Sequence, residues 1–97
     1  HRDDAAAALV HLATMDAVPA PVYVGVDNEP ADLGSVLRFL AAELGLPSPR
    51  VGDAGPARGG NKRCSNHLMR STGFAFTFPT FREGYREVIA GNGVRHP

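Results

Sequence analysis

A chain of 97 residues with ten Lys plus Arg against ten Asp plus Glu carries no formal net charge, so it lacks the positive excess on which binding to phosphate backbones rests. The length allows one domain and one modest core, too little for a complete nucleotide-binding domain together with a substrate domain. A single cysteine permits no internal disulfide, and the longest aliphatic run, Ala5–Val10, is far short of the ~20 residues of a membrane span.

Asp3 and Asp4 open an alanine-rich segment in which Ala8, Leu9 and Leu12 share a helical face. Alanine favours helix, and aspartates at a helix start accept its free N–H groups, so the residues predict a helix over 3–13 capped by its own carboxylates. Adjacent helical residues do not face each other, which rules Asp3 and Asp4 out as an acid–base dyad. The helix should fade near Thr14–Asp16, before Pro19-Ala20-Pro21. Pro21-Val22-Tyr23-Val24-Gly25-Val26 has the β-branched and aromatic density of a buried strand, and Asp27-Asn28-Glu29-Pro30 is turn chemistry.

Leu33, Val36, Leu37, Leu40 and Leu44 then form one apolar stripe at helical spacing, with Asp32 as N-cap and Gly45 as the left-handed stop. Residues 47–61 read as a flexible loop rich in glycine and proline. Lys62-Arg63-Cys64 suits a short strand, and Ser65 caps a brief helix through His67, Leu68 and Met69 that ends at Gly73. Phe74, Phe76 and Phe78 alternate with Ala75 and Thr77, giving an extended segment one aromatic face. Thr80-Phe81-Arg82-Glu83 matches a capping box, and the last helix runs to about Ala90. The expected fold class is α/β (α+β), with helices around two or three short strands, too few to leave no unpaired edge.

The chemistry-bearing residues are sparse. His1, His11, His67 and His96 show no ligand spacing and Cys64 has no partner, so no metal site is expected. Cys64 reads as a buried structural thiol in preference to a nucleophile assisted by His67. Gly55-Pro56-Ala57-Arg58-Gly59-Gly60-Asn61-Lys62-Arg63 evokes a phosphate-binding P-loop but fails on detail: Asn61 separates Gly60 from Lys62, and no Ser or Thr follows the lysine. Arg58, Lys62 and Arg63 nevertheless put three cations where an anionic group could be clamped, the alternative being a solvated loop whose charges pair at the surface. The phenylalanines of 74–81, near Arg70 and Arg82, read as the inner face of a strand in preference to a base-stacking platform.

Three stretches, in order and covering nearly the whole chain, carry a resemblance. His1-Arg2-Asp3-Asp4-Ala5-Ala6 resembles the His-x-Asp-Asp-x-Ala segment late in extended short-chain dehydrogenases/reductases, the NAD-dependent epimerase/dehydratase family. Val22 to Pro30 is similar to the strand and turn that follow it. Gly60-Asn61-Lys62-Arg63-Cys64-Ser65-Asn66, Leu68, Gly73-Phe74 and Phe78-Pro79-Thr80-Phe81-Arg82-Glu83-Gly84-Tyr85 resemble the C-terminal end of the nucleoside-diphosphate-sugar epimerase-like subgroup.

The resemblance implies that residues 1–97 are a single C-terminal, substrate-binding region of a Rossmann-type protein, incomplete relative to its parent. NAD or NADP would belong to the parent's N-terminal Rossmann region, with no cofactor in this chain. The family's glycine-rich βα turn and catalytic Tyr-x-x-x-Lys are not found: Asp27 stands four residues after Tyr23, and Ile89 four after Tyr85. Without that tyrosine and lysine, the chain by itself performs neither the isomerase nor the oxidoreductase chemistry of the family. The ligand implied is a nucleotide-sugar or another anionic small molecule, met by Arg58, Lys62 and Arg63. Asp4 and Arg82 take structural roles. The expected setting is cytoplasmic, without nucleic acid or membrane partners. The competing reading is a non-catalytic module that binds another protein or self-associates as a homo-oligomer.

Overall fold

Local signals account for all four helices of the computed structural model, which describes residues 1–17, 20–50 and 62–91. The helices are α1 (Arg2–Ala13), α2 (Leu33–Glu43), α3 (His67–Ser71) and α4 (Phe81–Ala90). The Asp32 carboxylate accepts the Ser35 N–H at 3.1 Å and the Ser35 hydroxyl at 2.6 Å, which starts α2. That helix stops in a Schellman arrangement: Leu46 N–H reaches the Ala41 carbonyl at 2.8 Å and Gly45 N–H the Ala42 carbonyl at 3.2 Å. Gly45 can close it because its φ is +69°, a conformation that a Cβ disfavours. At α4 the capping box of Thr80 and Glu83 forms as the spacing predicts. The short α3 begins where Ser65 Oγ accepts the His67 N–H at 3.2 Å and ends at Gly73, with φ +88°.

The start of α1 differs from expectation. Its N-cap is His1, whose Nδ1 accepts the Asp3 N–H at 3.1 Å. An Nδ1 that accepts leaves the ring proton on Nε2, which donates to Glu87 Oε2 at 2.7 Å. Asp4 is thereby released from capping and turns to another part of the chain.

No strand forms among the described residues, so the α/β (α+β) expectation is overturned: the fold is small and all-helical. The three segments read as strands, Pro21–Val26, Lys62–Cys64 and Phe74–Phe78, are irregular backbone. A strand exists only through the ladder its neighbour provides, and here Val26, Thr77 and Phe78 give backbone groups to side chains instead. Asn66 Nδ2 donates to the Val26 carbonyl, Asp4 accepts the N–H groups of Thr77 and Phe78, and Asn28 N–H donates to the Pro79 carbonyl. The inward alternation of the phenylalanines survives without a sheet: Phe74, Phe76 and Phe78 are half-buried while Ala75 and Thr77 are exposed.

The core is thin. Met69 is 1% exposed, and Ala8, Ala41 and Phe81 are the other buried apolar residues among those described. Helices α2 and α4 pack through Phe39, edge-on to Phe81 with ring centroids 5.4 Å apart, and through Arg86, which lies over Phe39 and pairs with Glu43. Helix α1 meets the 74–78 segment through His11 against Phe74 and His1 stacked on Phe78. The α2 stripe is only partly covered, since Leu33, Leu37 and Leu44 remain exposed. A radius of gyration of 15.7 Å exceeds the roughly 12–13 Å of a close-packed chain of this length, in keeping with so small a core.

Candidate functional site

Buried polar side chains set the frame around the site. Asp4, 3% exposed, accepts the N–H groups of Thr77 and Phe78, each at 2.8 Å. Asn66, also buried, divides its amide donors between the Val26 carbonyl at 3.0 Å and Asn28 Oδ1 at 2.7 Å. Arg82 pairs with Glu29 and lies over the Phe81 ring. Asp27 Oδ1 accepts the Glu29 N–H at 3.1 Å, holding the turn that carries both carboxylates. Together these contacts tie α1, the 26–29 turn, α3 and the start of α4 to one another, and the clefts lie between them.

The main cleft, of about 520 Å³, has apolar walls from Val26, Val36, Phe78, Phe81 and Val88, with Lys62, Asp27, Glu29, Thr80 and Tyr85 supplying polar groups. His1 forms part of the wall with its ring 2% exposed, stacked on Phe78 at 4.0 Å. A second hollow of about 380 Å³ adjoins it and is lined by Arg63, Asn66, His67 and Arg70. Asp27, Pro30 and Cys64 border both.

Of the three cations read from the sequence, the two described ones line different spaces. Lys62 lines the apolar cleft, Arg63 lines the second hollow, and Arg58 lies outside the described residues, as do residues 51–61 of the 47–61 loop. Arg70 stands opposite expectation in the other direction. It shares Arg63's hollow, yet seven residues separate the two across an irregular segment and a helix, so no periodicity relates them. Asn66 was legible only as part of a longer stretch; its burial depends on a carbonyl forty residues away.

Cys64 is exposed, which corrects the expectation of a buried structural thiol. Among the described residues no hydrogen bond joins it to His67, so the pair lacks the contact by which a base activates a nucleophile. No group of three His, Cys, Asp or Glu side chains among the described residues could hold a metal. None of the four described helices starts from a glycine-rich turn after a strand; their caps are His1, Asp32, Asn66 and Thr80, which offer no dinucleotide cradle. The shifted carboxyls belong to structure: Asp32 and Glu83 are held below the ordinary carboxylate range chiefly by the hydroxyls of Ser35 and Thr80. Among the described residues no helix is long and apolar enough to cross a membrane. No family model, curated protein or solved structure matches the chain.

Proposed function

We propose that this chain is the substrate-binding C-terminal region of an NAD(P)-dependent nucleoside-diphosphate-sugar epimerase/dehydratase-like protein, acting in the cytoplasm and not catalytic by itself. One observation carries the reading. The polar side chains that fasten the 26–29 turn, the 77–78 backbone, α3 and α4 to one another or to α1, namely Asp4, Asn28, Glu29, Asn66 and Arg82, fall within the three stretches on which the family resemblance rests, although ties such as Arg86 to Glu43 lie outside them. Motif positions that hold distant segments in register are what a common architecture would require of them.

In this reading the cleft takes the nucleotide-sugar. Its apolar walls suit the flat faces of a base or sugar, and the Lys62 ammonium at its edge would donate to diphosphate oxygens, with Arg63 beyond Cys64 as a further donor. Hydride chemistry would belong to NAD or NADP on the N-terminal Rossmann region, the partner against which this region closes. Titration with UDP-glucose, followed by amide shifts, tests the proposal. Saturable shifts are expected at Val26, Lys62 and Tyr85, weakened by Lys62→Ala. Unmoved amides at millimolar UDP-glucose would overturn it.

A second reading has its own observation. Val22 is 72% exposed and Val24 is also exposed, on a segment whose backbone joins no ladder, while Leu9, Val10 and Leu46 are uncovered elsewhere. Such a surface suits a non-catalytic interaction module or a homo-oligomer. Sedimentation decides it: a concentration-dependent dimer supports self-association, and a strict monomer removes it.

A further inference from the structure

The second hollow brings together two of the cations that form no ion pair among the described residues. Arg82 pairs with Glu29, Arg86 with Glu43 and Arg2 with Asp3. Arg63 and Arg70 form no ion pair among the described residues, and both are exposed on the wall of the same hollow. His67 stands between them on that wall, and with Arg70 it also borders a neighbouring hollow beside Phe74 and Phe76. Asp27 is the hollow's one carboxylate, and its Oδ1 is engaged by the Glu29 N–H. Two arginines therefore line the space against a single carboxylate among the described residues.

The spacing of those cations is held from within. Asn66 sits between Arg63 and Arg70 in the chain and is buried, with both amide hydrogens committed to Val26 and Asn28. It anchors the chain at the start of α3, between the two arginines. Preorganisation of that kind lowers the ordering cost of binding. Two arginines on the wall of one hollow bring guanidinium donors of the kind that match the several acceptor oxygens of a tetrahedral oxyanion.

We propose that this hollow is a phosphate-binding site in which Arg63 and Arg70 clamp a phosphate dianion, either free or as the phosphomonoester end of a small organic molecule. It shares Arg63 with the reading above but stands on geometry alone. Because Cys64 and Asp27 border both spaces, an organic phosphate seated here could extend its body into the apolar cleft.

Titration of the full chain at constant ionic strength tests the site, with inorganic phosphate in one arm and uridine monophosphate in the other. The side-chain Nε–H signals of Arg63 and Arg70 and the amide of Asn66 should move together on one saturable isotherm. Arg63→Gln and Arg70→Gln should each weaken binding about fivefold or more, since each removes a charge-assisted donor pair. Both side chains are exposed and unpaired among the described residues, so the variants should keep the wild-type far-UV circular dichroism. Equal affinity in the two arms identifies free phosphate as the ligand, and tighter uridine monophosphate identifies an ester. Shifts that fail to saturate, or binding undiminished in Arg70→Gln, overturn the proposal. UDP-glucose shifts at Val26, Lys62 and Tyr85 without any response of Arg70 to phosphate would sink this site alone and leave the cleft reading standing.

Discussion

Removing the Asp4 carboxylate should be among the most damaging single changes available to this fold. The carboxylate is buried and accepts two backbone N–H groups, from Thr77 and Phe78, at 2.8 Å each. Hydrogen bonds to a charged acceptor contribute about 1.5–3 kcal/mol apiece, and a donor left without a partner costs about 1–3 kcal/mol. Thr77 is exposed, so water can reach part of the gap that Asp4→Ala leaves, and the expected net loss is ~2–4 kcal/mol. Asp4→Asn keeps one acceptor oxygen but presents an NH₂ to the second N–H, for a loss of ~1–3 kcal/mol. Either is large against the roughly 5–15 kcal/mol that holds a chain of this size folded. Urea unfolding at constant m-value measures the loss, and hydrogen exchange locates it: the Thr77 and Phe78 amides should lose protection before those of α2. A loss under about 0.5 kcal/mol in Asp4→Ala, with unchanged protection at both amides, would refute the reasoning.

Other changes test other parts of the frame. Asn66→Asp should destabilise by ~2–4 kcal/mol, because a carboxylate would replace the donor to both the Val26 carbonyl and Asn28 Oδ1; equal urea midpoints for the two proteins would contradict it. Gly84→Ala should stabilise α4 by about 0.5–1 kcal/mol, as the new Cβ would lie at ordinary contact, 3.8 Å from His1 Cβ and 3.9 Å from Phe78 Cβ. Gly73→Ala should do the reverse by ~1 kcal/mol, since its φ of +88° strains any residue with a Cβ, and thermal melts of the two variants should move in opposite directions. Because Asp32 and Glu83 titrate below their ordinary values when folded, their caps contribute fully above the usual carboxylate pKa of about 4 and are lost as pH falls through the lower folded values. The double variant Asp32→Ala, Glu83→Ala should therefore show a flatter acid limb in urea stability, and an acid limb as steep as that of the parent chain would count against it.

The polar ties also explain why so open a molecule can hold a site. The buried apolar residues are few, and many large aliphatic side chains remain exposed. What brings the 26–29 turn, α3 and the start of α4 together is a set of amide, carboxylate and guanidinium contacts whose partners lie far apart in the chain. Such contacts are directional, and each leaves an unsatisfied group when broken, so they place the cleft walls more sharply than the thin core could.

Apart from the start of α1, where His1 takes the capping role expected of Asp3 and Asp4, the helix termini written in local chemistry were legible from the residues alone: Asp32 before the leucine stripe, Gly45 after it, the Thr80–Glu83 box and the stop at Gly73. These signals act within a few residues, so no distant partner is needed to read them. The segments around Val24 and Phe76 were misread as strands for the opposite reason. Their residue types suit a sheet, but a sheet is made by neighbours, and here Asn66 and Asp4 take up backbone groups that a ladder would have used. The candidate site divides the same way. Zero net charge and the local run of cations at 58–63 come directly from the 97 residues. That Lys62 lines an apolar cleft while Arg63 and Arg70 line another hollow belongs to the tertiary structure, in which Asn66 is buried against Val26 and Asn28, a contact between segments that no spacing rule connects.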